Sequence, residues 1–144
     1  MADTPPFGIR FRVRPANEQR PIAPGGVERA DRVPMYHRAV ELAARAHAAI
    51  ERAEAERFFL RDQLDRKSSL VPQLIAQGLA TADMAARRAL YRQARRALTD
   101  CATIFDMMLE RRSLPRAMID DTRDLALALL DELLPLTAEP SKIW

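Results

Sequence analysis

Four arginines carry the clearest chemical potential in this chain. Arg88, Arg92, Arg95 and Arg96 recur at helical spacing, which stacks guanidiniums one turn apart on one side of a helix. Such groups repel one another unless they are solvated or matched to an anion, and a planar guanidinium suits phosphate oxygens well. Arg66 and Lys67 are candidate neighbours from the preceding helix. A third basic set lies near the start, where FGIRFRVR alternates Phe7, Ile9, Phe11 and Val13 with Arg10, Arg12 and Arg14. That period of two describes a strand with one basic face. It could pair with a partner's sheet edge, lie against the bundle, or follow a nucleic-acid backbone.

Catalytic chemistry has few candidates. No nucleophile elbow, phosphate-binding glycine loop, HExxH or CxxC occurs. Asp120 and Asp121 are sequence neighbours, which splays them around a helix. His37 and His47 stand ten positions apart, so no metal is assigned to them, and His47 is expected at the edge of the core. The reading is therefore a non-enzyme with no metal and no cofactor. Cys101 is the single cysteine, which fits a reducing cytoplasm. The longest apolar run, Leu125 to Leu130, is far below the roughly 20 residues of a membrane span. No signal-peptide pattern opens the chain, so a cytoplasmic location is expected.

The elements that must hold the arginines are helices. Five of ten prolines and three of four glycines precede Val33, and the remainder is rich in Ala, Leu and Arg. Residues 1–33 are expected to form an extended arm, residues 34–137 a bundle, and residues 138–144 a tail. Helix one is predicted from Pro34 to Phe59, with a heptad seam through Met35, Ala39, Leu42, Ala46, Ala49 and Ala53. Helix two is predicted from Leu60 to Gln77, stopped by Gly78 and kinked or broken near Ser68–Ser69 by Pro72. Helix three is the longest, from Thr81 or Ala82 to Arg112. Helix four runs from Pro115 to Leu134, with Ser113 as its N-cap. The expected fold is all-α: an antiparallel up-down four-helix bundle with a proline-kinked second helix.

Charge and leucine are unevenly placed. Residues 60–99 carry eight basic against three acidic side chains, whereas residues 113–141 carry two against six. Arginine outnumbers lysine 21 to 2, and net charge is +3. Helix four sets Leu125, Leu127, Leu129, Leu130, Leu133 and Leu134 around most of its circumference. One buried stripe needs fewer, so the surplus is assigned to an oligomer interface.

Leu60, Gln63, Leu64, Arg66, Pro72, Ile75, Ala76 and Gly78 form the pattern QL-x-R-x5-P-x2-IA-x-G, followed by Tyr91, Ala94, Arg95, Ala97 and Leu98. With four helices, this resembles the bacterial four-helix-bundle family. That family includes proteins encoded in intervening sequences of 23S ribosomal RNA genes and the accessory variability determinant (Avd) of diversity-generating retroelements. The resemblance spans about residues 35–137. The chain departs from the pattern at Leu74, Gln77 and Thr103, where the family often carries Asn, Glu and Glu. Membership would imply a homopentamer, and in the retroelement branch one that binds nucleic acid and a reverse transcriptase. The expected function is a non-enzymatic, pentameric accessory protein that grips RNA or DNA through its arginine ridges, with no membrane role. The alternative is a scaffold whose arm or bundle docks a larger effector without nucleic acid.

Overall fold

The computed structural model describes residues 27–53 and 58–138. Four helices follow a short 3-10 turn at Ala30–Arg32: α1 (Pro34–Arg52), α2 (Phe58–Leu79), α3 (Met84–Glu110) and α4 (Arg116–Thr137). No strand occurs among the described residues, and FGIRFRVR and Trp144 lie outside them. Each helix packs on its chain neighbours and α4 closes back on α1, which leaves α1/α3 and α2/α4 diagonal.

Side-chain pairs set the directions. Gly78 near the end of α2 meets Tyr91 near the start of α3. Asp106 late in α3 pairs with Arg123 early in α4 at 3.0 Å. Arg38 early in α1 donates Nε and Nη2, one edge of its guanidinium, to the two carboxylate oxygens of Glu132 late in α4. The first half of α1 shares one core cluster with the second half of α2, and its second half shares the other with the start of α2. The bundle is antiparallel throughout.

The core divides by height. At one end Leu42, Val71, Ile75, Leu98, Leu129 and Leu133 pack together, and at the other Leu64, Phe105, Met108 and Ile119 do so. The alanine seam of α1 lies at 0–1% exposure at Ala39, Ala46, Ala49 and Ala53, so α1 approaches its neighbours closely. Each fully buried large apolar side chain contributes about 1.5–3 kcal/mol relative to exposure.

Several boundaries differ from the sequence expectation. Helix one stops at Arg52, because Ala53 leaves helical geometry (φ −91°, ψ 50°) to begin the reversal into α2. Helix two runs unbroken through Pro72 to Leu79. Gly78 is therefore not a stop. It lies inside the helix where a Cβ would fall 2.4 Å from the Tyr91 ring, so glycine is required by contact with α3. Ser113 does not cap α4: Pro115 holds that position, and its carbonyl accepts from Met118 and Ile119. Ser113 instead closes α3, donating its N–H to Met108 O while Arg112 N donates to Leu109 O, with Arg112 left-handed at φ 56°. This paired arrangement is the Schellman ending, with arginine where glycine is usual. α4 continues through Pro135 to Thr137. The expected arm boundary also moves, since Ala30 is buried in the core and Glu28 N donates to Leu79 O at 2.8 Å.

Candidate nucleic-acid interface

The phase of α3 decides where its arginines point. Asp83 caps the helix by accepting from Ala86 N at 2.9 Å, which fixes the first turn. Tyr91, Ala94, Leu98, Cys101 and Phe105 then face inward, and Arg92, Arg95 and Arg96 are carried to the outside. Together with Thr99 and Asp100 these three arginines line one groove of about 360 Å³. Lys67 reaches the same groove from α2 through an ion pair with Asp100 at 3.1 Å. Three arginines and one carboxylate therefore line it, with Lys67 at its edge.

These cations are not equally available. Arg92 Nε donates to the Thr137 carbonyl at 3.1 Å, and Arg95 Nη1 donates to the Thr137 hydroxyl at 2.8 Å. The last carbonyls of a helix lack intrahelical donors and carry the negative end of its dipole, so two guanidiniums there stabilise the end of α4. That is a structural duty which the solvated-ridge picture of Arg92 and Arg95 did not include. Arg96 is exposed, and neither it nor the half-buried Arg88 has a partner among the described residues. Arg66 stands apart, 70% exposed, and pairs within its own helix with Asp62 at 3.2 Å. Arg10, Arg12 and Arg14 lie outside the described residues.

The structure also withdraws one stacking candidate. Tyr91 is 3% exposed against Gly78 and cannot meet a base. Burial raises its hydroxyl pKa, an effect Arg87 opposes and Glu28 reinforces.

Arg87 is the residue the sequence reading passed over. It is 8% exposed, donates Nε to Thr81 O at 2.9 Å, and reaches Leu79 O at 3.4 Å. It thus ties the end of α2 to the start of α3. The signal was present: Arg87 shares the seam of Tyr91, Ala94 and Leu98 at i+4, i+7 and i+11.

The six leucines of α4 separate into three groups. Leu129 and Leu133 are fully buried in the chain's own core, which removes them from any surface open to a second protomer. Leu125 and Leu130 are half-buried against that core. Leu127 and Leu134 remain at 39% and 55% exposure. Two apolar stripes fuse into one broad buried face because α4 contacts both α1 and α3.

His47 is likewise not a core-edge residue: its side chain is 64% exposed and pairs with Glu51 at 3.1 Å. Among the described residues, no three His, Cys, Asp or Glu side chains gather where they could hold a metal ion. No described helix is long and apolar enough to cross a membrane. Comparison with protein-family models, curated proteins and solved structures found no match.

Proposed function

We propose that this chain is a non-enzymatic accessory protein that holds nucleic acid on the outer face of α3. The observation that supports this is the convergence of Arg92, Arg95 and Arg96 on one groove, with Lys67 at its edge. Arg96 and Arg88 supply charge that no described side chain offsets. Three guanidiniums around an open groove suit successive phosphates, and the absence of an exposed aromatic ring from its lining favours backbone contact over base readout. Binding is sequence-tolerant and salt-dependent, because released counterions drive it.

The resemblance to the retroelement accessory proteins extends the reading to a pentamer that assists a larger enzyme such as a reverse transcriptase. Several copies of one modest patch would then act together. Apolar surface for self-association includes Phe59, 66% exposed on α2, with Leu70 and Met107.

Fluorescence anisotropy with a labelled single-stranded RNA tests the site. Arg96→Glu is expected to weaken binding at least several-fold. Arg116→Glu, an equal charge change on an exposed residue in the first turn of α4, leaves it near wild type. Equal losses in both would reduce the groove to bulk charge. Sedimentation tests assembly separately: a single 16.3 kDa species at micromolar concentration removes the pentamer.

A further inference from the structure

The outer face of α4 is unpartnered in two ways at once. Leu127 and Leu134, seven residues apart, expose 39% and 55% of their surface on one side of it. Beside them Asp120, Asp124 and Asp131 follow helical spacing, all exposed and none with an ion-pair partner among the described residues. On the other helices Glu41, Asp62, Asp100 and Asp106 each meet an arginine or lysine, and on α4 itself Glu132 meets Arg38. Asp65 and Glu110 also lack an ion pair among the described residues, but each stands singly rather than in a row. A second copy docking through this same face of α4 would set carboxylates against carboxylates. The occupant it fits is extended, apolar along one edge and cationic along the other.

The chain carries such a segment. We propose that residues 7–14 lie along the outer face of α4 of the same bundle, with Phe7, Ile9, Phe11 and Val13 toward the leucines and Arg10, Arg12 and Arg14 toward the aspartates. The dimensions agree. Asp120 to Asp131 spans about 16 Å along a helix, and Arg10 to Arg14 spans about 13 Å along a strand. A strand laid on a helix with its side chains projecting sideways delivers one edge to each stripe.

The tether also agrees. The described chain enters at Val27 and Glu28, fixed by the Glu28 N–H to Leu79 O bond at the end of the bundle that also holds Thr137. The twelve residues 15–26 reach about 40 Å when extended, whereas neighbouring helices pack about 10 Å apart. Arg14 therefore arrives first, near Asp131, and Phe7 lies toward the start of α4. Tethering at this length gives an effective concentration of about millimolar, so even a weak contact is occupied within one chain. This assignment gives Arg10, Arg12 and Arg14 a protein partner. It does not rest on the nucleic-acid reading.

Disulfide trapping in the full chain tests it. Cys101 is fully buried and its thiol is pushed up to about 12, so it stays silent. Val13→Cys is combined with Leu134→Cys in one variant and with Gln77→Cys in another. Gln77 is exposed and close to Leu79, where the chain enters, so an arm that samples space freely meets it more often. The Leu134 pair is expected to close about tenfold faster, as a monomeric product. Asp124→Arg with Asp131→Arg should slow that closure toward the Gln77 rate, with circular dichroism confirming the fold. Closure no faster than the Gln77 pair, or closure mainly between chains, overturns the proposal.

Discussion

Gly78→Ala separates two opposite expectations for one methyl group. In an ordinary helix interior, alanine is more stable than glycine by about 1 kcal/mol, because glycine loses more backbone freedom on folding. Here the added Cβ would lie 2.4 Å from Tyr91 Cε1, 2.9 Å from Cδ1 and 3.0 Å from Cζ. Ordinary carbon contacts are about 3.5–4.0 Å, so the ring or the α2 backbone must move by about 1 Å. The ring is 3% exposed, which leaves it little room to turn away. Overpacking of this kind costs about 1–3 kcal/mol, and so close an approach belongs at the upper end. The net expectation is a loss of about 2 kcal/mol, or about 6 °C in Tm for a domain of this size. Urea unfolding followed by far-UV circular dichroism measures it. In a Tyr91→Leu background the obstruction is gone, and the same Gly78→Ala change should become stabilising by about 1 kcal/mol. The coupling between the two positions is then about 3 kcal/mol. A higher Tm for Gly78→Ala alone, or an equal effect in both backgrounds, would refute the α2–α3 contact as the reason for glycine.

Three further outcomes follow from particular contacts. Arg112 is left-handed at the end of α3, and Arg112→Gly should raise stability by about 0.5–1 kcal/mol in thermal unfolding; a loss would contradict the Schellman ending. Burial raises the Cys101 thiol from 9.0 to about 12, so the native state keeps its proton while the unfolded chain begins to lose it near pH 9. Stability from this group is intact below pH 9 and declines through about pH 12, by about 1.4 kcal/mol per pH unit. Between pH 8 and 10 the wild type should therefore lose about 1.4 kcal/mol more than Cys101→Ala, and parallel declines would sink the argument. Arg95→Gln and Thr137→Val remove the same side-chain contact at the end of α4. Each should speed hydrogen exchange in its last turn, with the double variant little worse than either single one.

Much of the fold was legible because it depends on local periodicity. Pro34 opens α1, the alanine seam is buried, and the inward face of α3 runs through Ala94, Leu98, Cys101, Phe105 and Met108 as its spacing requires. What failed depended on residues distant in sequence. Gly78 reads as a stop until Tyr91, thirteen positions later, is placed against it. Pro135 reads as a terminator, yet α4 continues two residues beyond it and Thr137 receives Arg92 and Arg95 from α3. The leucine surplus of α4 was real, but a corner helix touching two neighbours buries a wider arc than one stripe. Of the arginine ridge, spacing gave the shared face of Arg92, Arg95 and Arg96. It could not reveal that two of them already hold the end of another helix.

The most direct test of the account is the salt dependence of single-stranded RNA binding by the wild type and an Arg88→Gln, Arg96→Gln variant. Each phosphate contact contributes about 0.7 to the slope of log K against log salt concentration. The variant is expected to bind more weakly at low salt, with a slope shallower by about 1.4. Identical affinity and slope in a folded variant would contradict the assignment of nucleic acid to the outer face of α3.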